Sequence, residues 1–183
     1  MARPREFDLE TALTGAMDIF WRQGYLATNL PDLLDAMGLT RGSFYKAFGD
    51  KEAVYMRALD HYEQQVVERT VGVLANCQGR DARECLLLLF TGSPDPSRGC
   101  FICNAMVELA PVNPEVARRV NHMAGRLRGA IGDVLKRYDP DLDPERQHEL
   151  ADIVLHLYFG NQAMGKSGEG GQDWDKRLES LLS

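Results

Sequence analysis

The chain has 183 residues, 27 acidic and 21 basic, for a net charge of −6. That length suffices for one globular domain or a small domain joined to a larger one, and no apolar run approaches the roughly 20 residues that span a bilayer. The acidic balance excludes a global positive field of the kind that coats nucleic acid, so any such binding must rest on local pattern. Residues 1–6 are polar, with Arg3 and Arg5. They can act as an N-terminal arm on phosphates or in the minor groove, with a solvated tail as the alternative. No apolar segment follows them, so they do not read as a signal peptide, and a cytoplasmic protein is expected.

Residues 8–23 predict a helix capped by Asp8, with Leu9, Ala12, Leu13, Ala16, Met17, Phe20 and Trp21 at three- and four-residue steps. Gly24 ends it, and Tyr25 is expected against the third helix. Asn29 can cap a second helix with Pro31 in its first turn and Leu33, Leu34 and Met37 as its apolar stripe, stopped by Gly38. Thr40 caps a third, on which Phe44 and Phe48 share one face and Arg41, Ser43, Tyr45 and Lys46 another. No acid lies between Asp35 and Asp50. Two short helices about a tight turn form a helix-turn-helix, whose second helix enters a major groove. Gly42 inside that helix costs roughly 1 kcal/mol relative to alanine. Close approach to DNA would explain it; tight packing against Tyr25 is the alternative.

Asp50 caps a long helix over residues 51–77, too long for the small domain alone and expected to be a rigid connector. Helices follow over 82–91, 99–109, 114–138, 144–165 and 174–182, separated by breaks at 78–81, 92–97, 139–143 and 168–171. The run Leu86 to Phe90 is apolar all round and expected at the centre of the core. Arg118, Arg119, Arg126 and Arg128 are expected on a solvated or ion-paired face. The fold class is therefore all-α, with about nine helices: a three-helix helix-turn-helix domain over 1–50 and a helical effector-binding and dimerisation domain over 51–183.

The string Gly24-Tyr25, Thr28-Asn29, Leu34, Ala36, Gly38-Leu39, Arg41-Gly42-Ser43-Phe44-Tyr45, Phe48 and Lys51-Glu52 resembles the TetR family of bacterial transcription regulators, closely over about residues 8–60. The resemblance implies a homodimer, an N-terminal DNA-binding domain and a larger helical domain that binds an effector. It also implies that the dimer forms through the last two helices.

The expected function is thus a ligand- or thiol-responsive regulator, most simply a repressor, that binds a palindromic double-stranded operator as a dimer and is released by a small-molecule effector. Half-sites should fall about 34–36 Å apart, or a multiple of that. Candidate DNA contacts are Thr28, Thr40, Arg41, Gly42, Ser43, Tyr45, Lys46 and Lys51. Candidate effector or sensing residues are Tyr62, Phe90, Cys100, Cys103, Asn104, Met106, Met123 and Tyr158. If Gly99 opens a helix, Cys100 lies at its N-terminus beside the Arg98 guanidinium, and both lower a thiol pKa. Cys100 would then sense oxidants or electrophiles; the bland alternative for most of the four cysteines is a small buried hydrophobe. One Cys-x-x-Cys supplies two ligands, so neither a metal site nor another cofactor is expected. No phosphate loop, HExxH or nucleophile elbow points to an enzyme. A helical adaptor that binds only protein would leave Arg41, Tyr45 and Lys46 on one face unexplained.

Overall fold

A computed structural model describes residues 8–92, 95–168 and 173–183. The arm with Arg3 and Arg5, Ser93-Pro94 of the expected loop, and residues 169–171 of the expected link lie outside them. The described residues form helices and no strands, as the periodicity requires.

Helix α1 (Leu9–Gln23) starts at Asp8, whose carboxylate accepts the Glu10 and Thr11 amides, and ends at Gly24. Helix α2 (Leu30–Met37) is capped by Asn29, which accepts the Asp32 amide at 2.9 Å, and stops at Gly38 in the left-handed region. Helix α3 (Arg41–Phe48) starts at Thr40, whose hydroxyl oxygen accepts the Ser43 amide at 3.2 Å. Phe20, Leu33 and Phe44 are fully buried among these helices. The aromatic partners of Tyr25 among the described residues lie outside α3. The Tyr25 ring lies 6.0 Å from that of Phe20 and 5.1 Å from that of Tyr55, and the Lys51 ammonium lies over it at 4.3 Å.

The connector is continuous but not uniform. Helix α4 (Lys51–Tyr62) passes through one π-helical turn (Glu63–Val67) into α5 (Glu68–Ala75). Arg126 of the later long helix pairs with Glu63, the first residue of that turn, at 2.9 Å and reaches Glu68, the residue just after it, at 3.6 Å. Arg119 pairs with Asp60 one turn earlier, and Arg128 with Asp152. The arginine row expected to be solvated or ion-paired is therefore ion-paired, and two of its members fasten the connector.

Helices α6 (Ala82–Thr91), α7 (Phe101–Glu108), α8 (Pro114–Tyr138), α9 (Pro144–Lys166) and α10 (Trp174–Leu182) complete the chain. Helix α6 is not central on every side. Cys85, Leu86 and Leu89 are buried, but Leu88 is exposed, because one face of α6 borders an open cleft. Helix α10 folds back on α6: Leu178 is buried, Trp174 stacks on Phe90 at 4.4 Å, and Trp174 Nε1 donates to Asn161 Oδ1 at 2.9 Å.

Two cysteines do not behave as small hydrophobes. Cys77, just past α5, and Cys85 on α6 form a disulfide with a Cα–Cα separation of 5.7 Å. Their eight-residue separation closes a short loop, for which chain entropy gives a stabilisation of about 2.5 kcal/mol. Reduction, or Cys85→Ser, should lower the free energy of unfolding by that amount in a urea titration; an unchanged midpoint would show that the cross-link carries no stability.

Candidate nucleic-acid interface and sensing site

The two glycines of the N-terminal unit that lie inside helices have opposite surroundings. A Cβ at Gly15 on α1 would fall 1.9 Å from the Ala36 carbonyl oxygen, so α1 and α2 touch backbone to backbone there. A Cβ at Gly42 on α3 would meet nothing within 4 Å. Packing against Tyr25 thus does not account for Gly42, and its missing side chain opens toward solvent.

Around Gly42 the outer face of α3 is exposed: Arg41, Lys46 and Tyr45, the last at 46 %. The Arg41 guanidinium lies 5.8 Å from the Tyr45 ring centre, and among the described residues no carboxylate pairs with Arg41 or Lys46. Thr40 donates its hydroxyl to Ser43 Oγ at 3.1 Å, so these two side chains form one local cap at the start of α3. Phe44 and Phe48 turn inward, which fixes the rotation of α3 and turns its basic face out.

Two of the expected contact residues are differently placed. Thr28 is 0 % exposed, and its hydroxyl donates to the Gly24 carbonyl at 2.6 Å. It shapes the turn before α2 and presents no side chain to a phosphate. Lys51 is half-buried over the Tyr25 ring, and burial lowers its pKa, against the opposing field of Glu108.

The sensing residues separate into distinct places. Cys100 is the N-cap residue of α7, 2 % exposed, with Tyr62 Oη 3.8 Å from its Sγ. Its thiol is acidified by hydrogen bonds, first from the Cys103 thiol and then from the Cys103 and Ile102 amides and Tyr62, against the opposing effect of burial. Cys103 is driven the other way by its bond to Cys100 and by burial, so it keeps its proton as the donor. Burial likewise raises the phenols of Tyr62 and Tyr158. The Arg98 guanidinium is not the acidifying group. It pairs with Asp18 at 2.5 Å and lies 4.3 Å from the Trp21 ring centre.

Tyr62 and Tyr158 line a pocket of about 130 Å³ with Trp21, Val66, Gly99 and Gln162. It shares Trp21, Val66, Thr70 and Leu88 with an outer cleft of about 570 Å³ that includes Arg69 and Val73. The pocket and the cleft therefore share a wall, and the pocket side carries Tyr62, whose phenol touches Cys100. Phe90 sits behind it, 6.2 Å from the Tyr158 ring. Asn104 is not a ligand handle, because its Nδ2 donates to the Trp21 carbonyl at 3.1 Å. Met123, on α8, is buried in the core, and Met106 lines a separate notch of about 400 Å³ with Arg128, His156 and Phe159. Neither belongs to the cleft. Sequence periodicity could not separate these inward residues, since core and pocket walls repeat at the same helical step.

Comparison with known proteins bears on both regions. The family described as "Bacterial regulatory proteins, tetR family" matches residues 12–58, the span that contains α2 and α3. The transcriptional repressor ComR of Escherichia coli is 32% identical over 121 residues, covering 63% of this chain and 57% of ComR's length. A cysteine-substituted form of the TetR-family regulator CifR, bound to a 26-base-pair operator duplex, superposes with a TM-score of 0.78 at 31% identity over 98% of both chains. Reduced NemR of Escherichia coli shares the fold with a TM-score of 0.79 at 16% identity, covering 94% of this chain and 93% of NemR.

Proposed function

Because the chain belongs to the TetR family of bacterial regulatory proteins, we propose that it is a transcriptional repressor whose α3 reads a two-fold operator and whose release is driven through the Cys100 site. The observation that carries the first half is the outward face of α3: two cations and a phenol around a glycine with open space above it. Arg41 lies in the first turn, from which a recognition helix reaches base edges, and Lys46 and Tyr45 suit phosphates. Thr40 and Ser43 support them as the cap that orients the helix end.

One such helix has few contacts, so two copies are required. Of the last two helices, expected to form the dimer, α10 buries Trp174 and Leu178 where it packs on α6, so α9, with α8 beside it, is the one that offers an open face for a second copy. There Ile153 is exposed, Leu157 and Phe159 are half-buried, and a Cβ at Gly125, Gly129 or Gly160 would meet nothing within 4 Å. The N-terminal helices over 1–50 then act as the reading head, and residues 51–183 set the separation of two heads.

The second half rests on Cys100. Hydrogen bonds from the Cys103 thiol, two amides and Tyr62 at a helix start lower the Cys100 pKa against burial, which favours the nucleophilic form of the thiol. Modifying it forces an added group into a site with 2 % exposure, so α7 must move. In the proposed mechanism an electrophile or oxidant enters by the cleft between α5 and α6 and displaces α7, and the heads leave register. The test is operator binding against increasing N-ethylmaleimide, for wild type and Cys100→Ser. Wild type should lose binding at neutral pH while the variant keeps it. Equal loss in both would remove Cys100 from the mechanism and point to the other free thiol, Cys103.

A further inference from the structure

Helix α7 carries the Cys100–Cys103 pair at its start and Glu108 at its end. The Glu108 carboxylate accepts hydrogen bonds from two successive main-chain amides, Tyr25 at 2.8 Å and Leu26 at 2.6 Å. Both amides belong to the turn between α1 and α2, on the other side of the boundary at residue 50. Gly24 makes this approach possible: its φ is +84°, and a Cβ there would lie 2.9 Å from a Glu108 oxygen. Bonds from amides to a carboxylate are charge-assisted and among the stronger ones available to a turn. Burial raises the phenol of Tyr55, and the nearby Glu108 carboxylate adds to that rise and opposes the lowering of Lys51 by burial.

The start of α7 is tied to the same strip of chain. Trp21 Nε1 donates to the Gly99 carbonyl at 3.0 Å, and Asn104 Nδ2 donates to the Trp21 carbonyl. The two ends of α7 thus hold the last turn of α1 and the turn that follows it. Helix α7 is eight residues long, about 12 Å at 1.5 Å per residue, so a shift at its first turn is carried to its last. Hydrogen bonds at 2.6 and 2.8 Å weaken steeply as their angle and length change.

We infer that Glu108 is the positioning residue that fixes the turn ahead of α2, and thereby the orientation of the reading head, from the end of the helix that bears the sensing thiols. That Glu108 sets the turn stands on the hydrogen bonds alone; that it carries the thiol signal rests on the sensing function proposed above.

The test compares wild type, Glu108→Ala and Glu108→Gln by amide hydrogen exchange, operator affinity and thermal midpoint. Glu108→Ala should speed exchange at Tyr25 and Leu26 at least tenfold and weaken operator binding at least tenfold, with exchange at Phe20 and Phe44 unchanged. Glu108→Gln keeps acceptor oxygen but not the charge and should fall between. Exchange at Tyr25 and Leu26 and operator affinity within twofold of wild type would overturn the assignment. So would acceleration spread equally over Phe20 and Phe44, which is the mark of a merely destabilised domain. Alkylating the wild-type thiols should then raise exchange at the same two amides. Release from the operator without that change would overturn the coupling; operator binding that survives alkylation would overturn the thiol reading, while the first comparison still decides the role of Glu108.

Discussion

Arg41→Ala should cost the dimer about 2–6 kcal/mol of operator affinity, a loss of roughly 30-fold or more, because a contact worth about 1–3 kcal/mol is removed from both half-sites. The guanidinium is exposed and unpaired with carboxylates among the described residues, so it has little to do for the fold. Stability should stay within about 0.5 kcal/mol of wild type, as for most surface substitutions. Lys46→Ala should act differently. A phosphate contact carries no sequence information, so its loss should weaken specific and non-specific binding alike. It should lower the salt slope by about 0.9 per contact, or nearly two for a dimer. Gly42→Ala adds a third signature. The new methyl group meets nothing in the protein, so the helix should gain up to about 1 kcal/mol, yet DNA affinity should fall because the backbone no longer approaches as closely. Gel shifts at several salt concentrations, alongside thermal melts, separate the three.

The same glycine-to-alanine change at Gly15 should have the opposite effect on stability. Its new Cβ would lie 1.9 Å from the Ala36 carbonyl oxygen and 2.8 Å from the carbonyl carbon, and neither atom can rotate away as a side chain would. Helices α1 and α2 must separate, which opens the packed surface between them. Overpacking costs about 1–3 kcal/mol in general and more where backbone is the obstacle, well above the roughly 1 kcal/mol that alanine returns in helix propensity. A net loss of 3 kcal/mol would lower the midpoint by about 6–12 °C for a chain of this size. A midpoint equal to or above that of wild type would mean that α1 and α2 are not in backbone contact.

These two glycines mark how far the sequence could be read. Both interrupt helices whose apolar spacing is clear, and both look like the same local defect. Only the crossing of α1 over α2 distinguishes them, and that crossing is a property of three dimensions. Caps and stops were legible because they act within four residues: Asp8, Asn29, Thr40, Asp50 and Asn113 start their helices, and Gly24 and Gly38 end the first two, where local chemistry places them. The outward set Arg41, Tyr45 and Lys46 was legible for the same reason, since Phe44 and Phe48 fix the inward side.

What pairs residues distant in sequence was not legible. Nothing local to Arg98 signals that Asp18 takes its guanidinium, and so the acidifying partner assigned to Cys100 had to change from a cation to Cys103, two amides and Tyr62. Thr28 reads as a free helix-start hydroxyl until the turn brings the Gly24 carbonyl to 2.6 Å. Glu108 is an ordinary helix-end acid in the sequence, and its two amide partners are more than 80 residues away. Met106 and Met123 share the helical spacing of the cleft residues but fall in a separate notch and in the core.

The claim on which the rest depends is that two copies of α3 enter one face of a duplex. Hydroxyl-radical footprinting of the chain's own upstream region tests it most directly. The expected result is two protected patches, related by a two-fold axis and centred about 34–36 Å apart or a multiple of that, both lost in the Arg41→Ala, Lys46→Ala double variant. A single unpaired patch, or an unchanged footprint in the double variant, would contradict it.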